Sequence, residues 1–381
     1  MRCPITLEEL AIPPLSTLVL GSLPRPDFQV ASLLAFKQKQ IGELEYQATA
    51  NDAVIICIDG QLRWGADVIC DGEQRREDYA TFFLRKLNNL RFAEGNIFID
   101  GPLSRRMSLT GNEFRFTRSY TVKPIKIALP GPYLLSRLLF AATTRGSQGE
   151  STQFAPSYYA DRASLAFALV QLLVEEIAEL LESGTAMVQI NETLASDGPS
   201  PLSGHPGAKF TEAAQAEVNL QVALLQALTA NFPAERLAIN FEPVFPWDIL
   251  AEAPPALGFP IMLYTISGTI ILQILRGSNF GTVFLDFTGP AASWMPILPE
   301  IPKAMRIGAG LVDARSDALE GEYEVEQRLR FIAHHVGIER LLVTTGTGFA
   351  PFALGPQISL AAAERKISLL SQCANKLNLQ V

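Results

Sequence analysis

Short apolar runs rich in β-branched residues alternate along the chain with longer segments of helical spacing. Most of the runs are apolar throughout rather than alternating, which is typical of strands buried on both faces. They predict nine candidate strands, at residues 17–20, 67–70, 126–129, 187–190, 237–240, 261–264, 283–286, 306–309 and 341–345. The segments of helical spacing predict helices at residues 163–181, 212–230, 322–335 and 359–377.

This regular alternation of strand and helix predicts an α/β fold in which a parallel sheet is covered by helices. Eight such units close into a (β/α)8 TIM barrel, so one of the nine candidate strands is expected to be wrong or additional. The chain has no internal repeat and no Gly/Ser linker. We therefore predict one barrel domain over residues 1–381, with an N-terminal helical extension.

Residues 92–122 fit neither pattern and predict an inserted β-hairpin that could form a flap over one end of the barrel. Its strands are expected at residues 96–99 and 113–120, around Gly111 and Asn112. Four arginines of the insertion are candidates either for a solvated surface or for contact with an anionic ligand: Arg105, Arg106, Arg115 and Arg118.

Composition narrows the class of partner. The chain is 48% hydrophobic and 18% charged, which is enough apolar material for a large core. Its 31 Lys and Arg against 39 Asp and Glu argue against nucleic acid and leave a small molecule as the expected partner. Four cysteines without paired spacing and the absence of a leader pattern favour a cytoplasmic protein. The uncharged stretch 253–275 is punctuated by Pro and Gly, so we expect buried secondary structure there and no membrane contact.

Candidate chemistry lies where the predicted strands end, because the active sites of such barrels form from the loops that follow the strands. Four acidic residues occupy such positions: Glu73, Glu192, Asp286 and Asp313. Acidic groups at the mouth of an apolar barrel are either paired with cations or hold a polar ligand. Arg75, Arg76 and Arg315 are the candidate cations, so both interpretations stay open at this point.

The motifs at these strand ends follow one another in a specific order. They are GSxPRP from Gly21, QxxxGxDxxxDGEQRRxD over residues 61–78, PGPY from Pro130, QINE from Gln189, and GxGxVDxRSxxxE over residues 308–320. In this order they resemble the catalytic domain of cobalamin-independent methionine synthase, and the DGEQRR segment is the most specific of them. The resemblance runs from Leu20 to about Leu377. It implies a barrel shared with uroporphyrinogen decarboxylase and a methyl- or alkyltransferase activity like that of methionine biosynthesis.

The resemblance also implies zinc, held in the family by a His-x-Cys pair on one strand, a Glu after the next strand and a Cys in the last turn. Coordination would deprotonate a substrate thiol. The matching positions here are Tyr264, Ile266, Asp286 and Thr347. An alternative alignment places Asn240 and Glu242 at the His-x-Cys pair. Because a zinc site needs sulfur, imidazole or carboxylate donors, we expect no catalytic zinc, no other cofactor and no zinc–thiolate mechanism.

Other family positions are better preserved. By resemblance, the backbone N–H groups of Gly21 and Ser22 hold a substrate carboxylate, and Glu73 receives an ammonium group. A second acid of the family aligns with Asn191, and a proton-donating His aligns with Arg315. The substrate-binding candidates are therefore Gly21, Ser22, Glu73 and Asn191, and the catalytic candidates are Glu73, Glu192, Asp286 and Arg315.

Three functions remain open from the sequence. The first is a methionine-synthase-like methyl- or alkyltransferase homologue that acts on a zwitterionic or anionic small molecule, with buried carboxylates as general acids or bases. The second is a binding or regulatory protein that retains the amino-acid cradle without catalysis. The third is a metal-free decarboxylase or lyase.

Overall fold

A computed structural model describes residues 10–77, 80–93, 96–144, 158–195, 212–241, 261–288, 296–355 and 357–379. Its strands are β1 (Thr17–Leu18), β2 (Leu87–Ala93), β3 (Asn96–Arg105), β4 (Lys126–Pro130), β5 (Met187–Glu192), β6 (Leu237–Phe241), β7 (Thr282–Asp286), β8 (Arg306–Val312) and β9 (Leu341–Thr345). Its helices are α1 (Asp27–Lys37), α2 (Glu43–Arg63), α3 (Thr81–Leu84), α4 (Gly111–Tyr120), α5 (Pro132–Thr144), α6 (Arg162–Glu182), α7 (Glu212–Thr229), α8 (Ile261–Gly277), α9 (Glu322–Val336) and α10 (Leu360–Asn378).

Seven of the strands form one parallel sheet in the order β1-β9-β8-β7-β6-β5-β4. The two edges of that sheet are joined by Val68 and Ile69, which form parallel bridges with Leu18 and Ile125. The N–H of Ile69 donates to the carbonyl of Pro124 over 2.9 Å, and its carbonyl accepts from the N–H of Lys126 over 2.9 Å. The segment after α2 therefore occupies the eighth strand position of the ring.

Eight of the nine predicted strands overlap a strand or a bridge of this ring, and the prediction at residues 261–264 is wrong. Those residues begin α8, which continues to Gly277. A short apolar run cannot be distinguished from one turn of a buried helix by periodicity alone, and this run was misread for that reason. The predicted N-terminal helical extension falls largely on residues 1–9, which lie outside the described residues, while α1 and α2 follow β1 and connect it to Val68.

The inserted hairpin exists, but its bounds differ from the prediction. Its antiparallel strands are β2 and β3, whereas the predicted strand at residues 113–120 lies in α4. The buried side chains of Glu113, Phe114 and Thr117 follow helical spacing, while Phe114 and Phe116 in sequence imitate the alternation of a strand. Arg105 pairs with three acidic residues of α6, so it holds the hairpin to that helix: Glu175, Glu176 and Glu179.

The two faces of the strands differ in composition. Side chains that point into the barrel form a small apolar cluster, made of Leu18, Leu20, Val68, Met187, Ala238, Phe284 and Leu342. The alternate side chains, such as Ile190 and Ile239, belong to the large core between the ring and the helices. Above the inner cluster the barrel interior becomes polar, and the candidate site begins there. Among the described helices, none combines the length and apolarity required to span a bilayer.

Candidate functional site

The turns that follow β1 and β9 lie against each other at the carboxyl end of the barrel. A Cβ atom on Gly21 would lie 3.2 Å from the Cα of Gly348, so a side chain there would separate the two turns. The carbonyl and hydroxyl oxygens of Ser22 accept the N–H groups of Phe349 (2.8 Å) and Ala350 (3.0 Å). No hydrogen bond between described residues uses the N–H of Gly21 or of Ser22. These two N–H groups are therefore candidate donors to a ligand.

Glu73 has an unusual backbone conformation, with φ of 56°. This left-handed region is strained for a residue with a side chain, and such strain is common at ligand sites. Local contacts hold the conformation: the Glu73 N–H donates to Asp71 Oδ1 over 3.0 Å, and its carbonyl accepts from Arg25 over 3.0 Å. Its Oε1 accepts from Arg76 over 3.0 Å, and both of these side chains are nearly buried. The carboxylate is therefore positioned from both the backbone and the side chain.

Arg25 is a functional candidate that our sequence reasoning did not single out. Its buried guanidinium donates to the carbonyls of Glu73, Arg76 (2.8 Å) and Ala350 (2.9 Å), which come from two different turns. Burial lowers the pKa of Arg25, and nearby Glu73 opposes that effect. The charged residue inside the GSxPRP motif was the available signal, because a buried arginine needs several acceptors.

A chain of polar side chains fills the upper interior of the barrel. Lys126 Nζ donates to the carbonyl of Leu20 over 2.7 Å and to Gln189 Oε1 over 2.6 Å. Gln189 Nε2 donates to Asn191 Oδ1 over 2.6 Å, and Asn240 Nδ2 reaches the same oxygen at 3.4 Å. Burial lowers the pKa of Lys126. The sequence signal that we missed was a polar residue at alternate, inward-pointing positions of apolar strands.

Glu192 lies on the opposite face of β5 from Asn191. Its two carboxylate oxygens accept the N–H groups of Tyr133 and Leu134, each over 2.9 Å, at the beginning of α5. Gly131 packs directly against this carboxylate, and a Cβ atom there would collide with it. Burial raises the pKa of Glu192 to about 8, although the N–H donors oppose the shift. Glu192 therefore caps a helix and does not join the polar chain inside the barrel.

The structure brings Asp286 and Arg315 together as an ion pair. This contact is compatible with both interpretations from the sequence, a catalytic pair and a simple ion pair. Asp286 Oδ1 accepts from the N–H and the hydroxyl of Thr288, over 2.8 and 2.6 Å. Asp286 Oδ2 lies 3.3 Å from a guanidinium nitrogen of Arg315, which also donates to Asp313 over 2.6 Å. Burial raises the pKa of Asp286, while the Thr288 hydrogen bonds and Arg315 oppose the shift.

The β9 turn connects this pair to the turn after β1. A Cβ atom on Gly346 would lie 2.5 Å from Asp286 Oδ1, so the turn passes directly beside the carboxylate. The hydroxyl of Thr347 donates to the carbonyl of Gly348 over 3.2 Å, and the carbonyl of Thr347 accepts from the Thr345 hydroxyl over 2.7 Å. Thr347 thus lies between Asp286 and Gly21 along the rim.

Tyr264 and Ile266 do not lie at a strand end, because both belong to α8. The alignment that placed them at the His-x-Cys pair is therefore overturned. The alternative alignment is compatible with the sheet, since Asn240 lies on β6, between β5 and β7. Glu242 lies outside the described residues. In the part of the chain that the structure describes, no three His, Cys, Asp or Glu side chains are grouped to hold a metal ion.

The parallel ring defines a (β/α)8 barrel, and its polar carboxyl-end rim is the candidate site. The family model described as "Cobalamin-independent synthase, Catalytic domain" matches residues 15–229, which is more than half of the chain. The chain therefore belongs to the cobalamin-independent synthase catalytic domain family, as the motifs indicated.

Similar proteins carry related names. The methionine synthase of Saccharolobus solfataricus is 28% identical over 192 residues, covering 48% of this chain and 53% of the relative. A Saccharolobus islandicus methionine synthase (strain Y.G.57.14) is 30% identical over 193 residues, covering 48% of this chain and 53% of the relative. The chain thus spans about half the length of these curated relatives.

Two solved structures share the fold over nearly the whole chain. A B12-independent methionine synthase from Shewanella sp. W3-18-1, in complex with selenomethionine, superposes with a TM-score of 0.67 at 20% identity, covering 97% of this chain and 99% of that one. A putative vitamin-B12-independent methionine synthase from Listeria monocytogenes gives 0.68 at 17% identity, covering 96% and 99%. The predicted α/β class and TIM-barrel type are confirmed.

Proposed function

We propose that the chain is a methyl- or alkyltransferase homologue that binds a small zwitterionic or anionic carboxylic acid at the carboxyl end of its barrel. The observation that carries this proposal is the pair of available N–H groups on Gly21 and Ser22. Adjacent backbone N–H groups in a turn form a concave anion site, which suits a carboxylate. The net charge of −8 supports a small-molecule partner rather than nucleic acid.

Two further observations support a ligand at this rim. Glu73 has a strained backbone and a carboxylate held in place by Arg76. The Shewanella relative is described in complex with selenomethionine, which carries both a carboxylate and an ammonium group. The Gly21–Ser22 turn would receive the carboxylate of such a molecule, and Glu73 its ammonium group.

We propose further that the chain lacks the zinc–thiolate mechanism of its family. The matching donors among the described residues are the Asn240 amide on β6, the Asp286 carboxylate on β7 and the Thr347 hydroxyl in the turn after β9. Asp286 already pairs with Arg315 and Thr288, and none of the three supplies sulfur or imidazole. A donor set of this kind does not fit a tetrahedral zinc site.

Ligand-induced thermal shift tests the cradle. We expect L-methionine or a related carboxylic acid to raise the melting temperature of the chain, and Glu73→Gln to abolish the shift. Glu364→Gln, on an exposed position of α10, is the matched control and should retain it. Because Glu73→Gln removes a carboxylate that pairs with the buried Arg76, Glu73→Gln/Arg76→Gln serves as a second, charge-balanced variant. An unchanged shift in both Glu73 variants would remove Glu73 from the site.

Metal analysis tests the absence of zinc. We expect well below one equivalent of zinc per chain in protein purified without added metal. Stoichiometric zinc that survives dialysis would contradict the proposal, and Asp286→Asn would then show whether this carboxylate is a ligand.

A binding or regulatory protein is the second candidate, because one of the predicted catalytic residues has a structural role. Both oxygens of Glu192 are used by the N-terminus of α5. An assay for methyl or alkyl transfer to a thiol, run with the ligand bound, distinguishes the two candidates. Turnover favours the transferase homologue. A ligand shift without turnover favours the binding protein.

A further inference from the structure

The orientation of the polar chain inside the barrel is determined from its lower end. The ammonium group of Lys126 only donates hydrogen bonds, so the group that faces it must be an acceptor. The carbonyl of Leu20 and Gln189 Oε1 fulfil that condition, at 2.7 and 2.6 Å. The amide of Gln189 is thereby fixed, with its oxygen toward Lys126 and its NH₂ group toward Asn191.

The same reasoning fixes Asn191. Gln189 Nε2 must find an acceptor, which is Asn191 Oδ1 at 2.6 Å, and Asn240 Nδ2 also approaches this oxygen, at 3.4 Å. With two donors directed at its oxygen, Asn191 turns its NH₂ group away from the chain. Asn191 Nδ2 donates to no other described residue, although the residue is 2% exposed. Asn191 Nδ2 is not one of the fully buried side-chain atoms that lack a partner, so this NH₂ group lies at the small exposed part of the residue, where a ligand or water can accept from it.

The charged groups near Asn191 disfavour the binding of a ligand ammonium group there. The carboxylate of Glu73 is already paired with Arg76, and Arg25 donates to the carbonyl of Glu73. Lys126 contributes another buried donor, and Glu73 lies close enough to it to oppose the lowering of its pKa. A ligand ammonium group would face the NH₂ of Asn191, donor against donor, with only a neutralised carboxylate as its partner.

We infer that Asn191 Nδ2 donates a hydrogen bond to an oxygen of the ligand, and that the site prefers 2-hydroxy or 2-oxo carboxylic acids to 2-amino acids. This inference rests on the proposed function, because it takes the ligand carboxylate to be held by Gly21 and Ser22. Asn191 is then the residue that distinguishes the substituent on the carbon next to that carboxylate. Lys126 and Gln189 are positioning residues that act through Asn191.

Calorimetric titration with two nearly isosteric ligands tests the inference. L-methionine and (S)-2-hydroxy-4-(methylsulfanyl)butanoate differ only in an ammonium or a hydroxyl group at that carbon. We expect the full chain to bind the hydroxy acid about tenfold more tightly, because only its oxygen accepts from Asn191. Asn191→Asp replaces the donor with a charged acceptor and should reverse the preference. Asn219→Asp, on an exposed position of α7, is the matched control and should keep it.

The outcomes separate the inference from the proposed function. Equal affinity for the two acids, or tighter binding of L-methionine to the unmodified chain, would overturn the inference. The proposed function would survive that result if Glu73→Gln still abolished binding. If neither acid bound, both would fail. The preference of the unmodified chain decides the question even if Asn191→Asp does not fold, and Asn191→Leu provides a neutral variant in which the preference should disappear.

Discussion

The two halves of the barrel rim are constructed differently. On the side of β1 to β5 the polar groups are buried and held by fixed partners, mostly backbone atoms: Arg25, Glu73, Arg76, Lys126 and Asn191. On the side of β7 to β9 they are paired with each other nearer to solvent, and the side chains of Arg315 and Asp313 are 48% and 35% exposed. The first half is therefore preorganised, whereas the second can rearrange at small cost.

The family match follows the same division. It covers residues 15–229, which include β1 to β5 and the turns that carry Gly21 and Glu73, and it ends before β6. Asn240 on β6, Asp286 on β7 and Thr347 after β9 all follow the matched residues in the chain. Under the proposed function, ligand recognition belongs to the first half of the rim, and the candidate pair Asp286 and Arg315 belongs to the second. Four experiments test whether the two sides differ in rigidity as the structure indicates.

The largest effect is expected for Arg76→Met. This change leaves the Glu73 carboxylate buried without its counter-charge and removes a donor from the carbonyl of Ala128. We expect the free energy of unfolding to fall by about 4 kcal/mol, measured by urea denaturation. Arg63→Met, at a position where the side chain is largely exposed, is the control and should stay within about 0.5 kcal/mol. A loss under about 1 kcal/mol for Arg76→Met would contradict the idea of a preorganised half.

Glu192→Gln tests the helix cap through pH. Burial raises the pKa of Glu192 from near 4.5 to about 8, so the folded chain holds a proton that the unfolded chain has released. Relative to the neutral variant, Glu192 stabilises the fold most below pH 4.5 and loses that contribution as pH rises toward 8. We expect the difference in unfolding free energy between the two proteins to change by on the order of 3 kcal/mol from pH 5 to pH 8. A difference that does not vary with pH would show that Glu192 ionises normally in the folded chain.

Gly131→Ala disturbs the same helix cap through a steric clash, without changing the charge of Glu192. A Cβ atom at this position collides with the Glu192 carboxylate, which must move away from the N-terminus of α5. We expect a loss of about 2 kcal/mol in thermal or urea unfolding. Gly42→Ala is the matched control, because nothing lies within 4 Å of a Cβ atom there. Equal stability of the two variants would mean that the cap can shift without cost.

The smallest effect is expected for the Asp286–Arg315 pair in the second half. A double-mutant cycle with Asp286→Asn and Arg315→Gln should give a coupling energy below about 1 kcal/mol, since the guanidinium is half-exposed. Arg315→Gln alone should raise the pKa of Asp286 further, because the guanidinium opposes the effect of burial. A coupling as large as that between Glu73 and Arg76 would remove the contrast between the two halves.

Most of the fold could be predicted from the sequence because parallel barrel strands are short, apolar and regularly spaced. The exceptions have physical causes. Residues 261–264 are as apolar as a strand but continue into a 17-residue helix, and only the ring of eight shows that no ninth strand is needed. Phe114 and Phe116 are spaced two apart, like the apolar residues of a strand. The buried residues Phe114 and Thr117 are spaced three apart, as on one face of a helix.

The site was predictable in position more than in role. Motif order placed Gly21, Glu73 and Asn191 correctly at one end of the barrel, because strand ends converge there. Adjacent residues of a strand point to opposite faces, but the sequence could not show which of Asn191 and Glu192 faces the barrel interior, because that depends on how β5 aligns with β4. Nor could it show that Lys126 fixes the Asn191 amide, which depends on side-chain contacts between β4 and β5.

The ring is closed at its weakest point by very few hydrogen bonds. β1 contains two residues, and Val68 and Ile69 join it to β4 through isolated bridges. The turns with Gly21 and Glu73 follow directly on either side of this seam. A ligand that contacts both turns would hold β1 and the segment at Val68 together and so stabilise this part of the barrel against local opening. Amide protons around Val68 should then exchange more slowly in the ligand-bound protein than in the ligand-free protein.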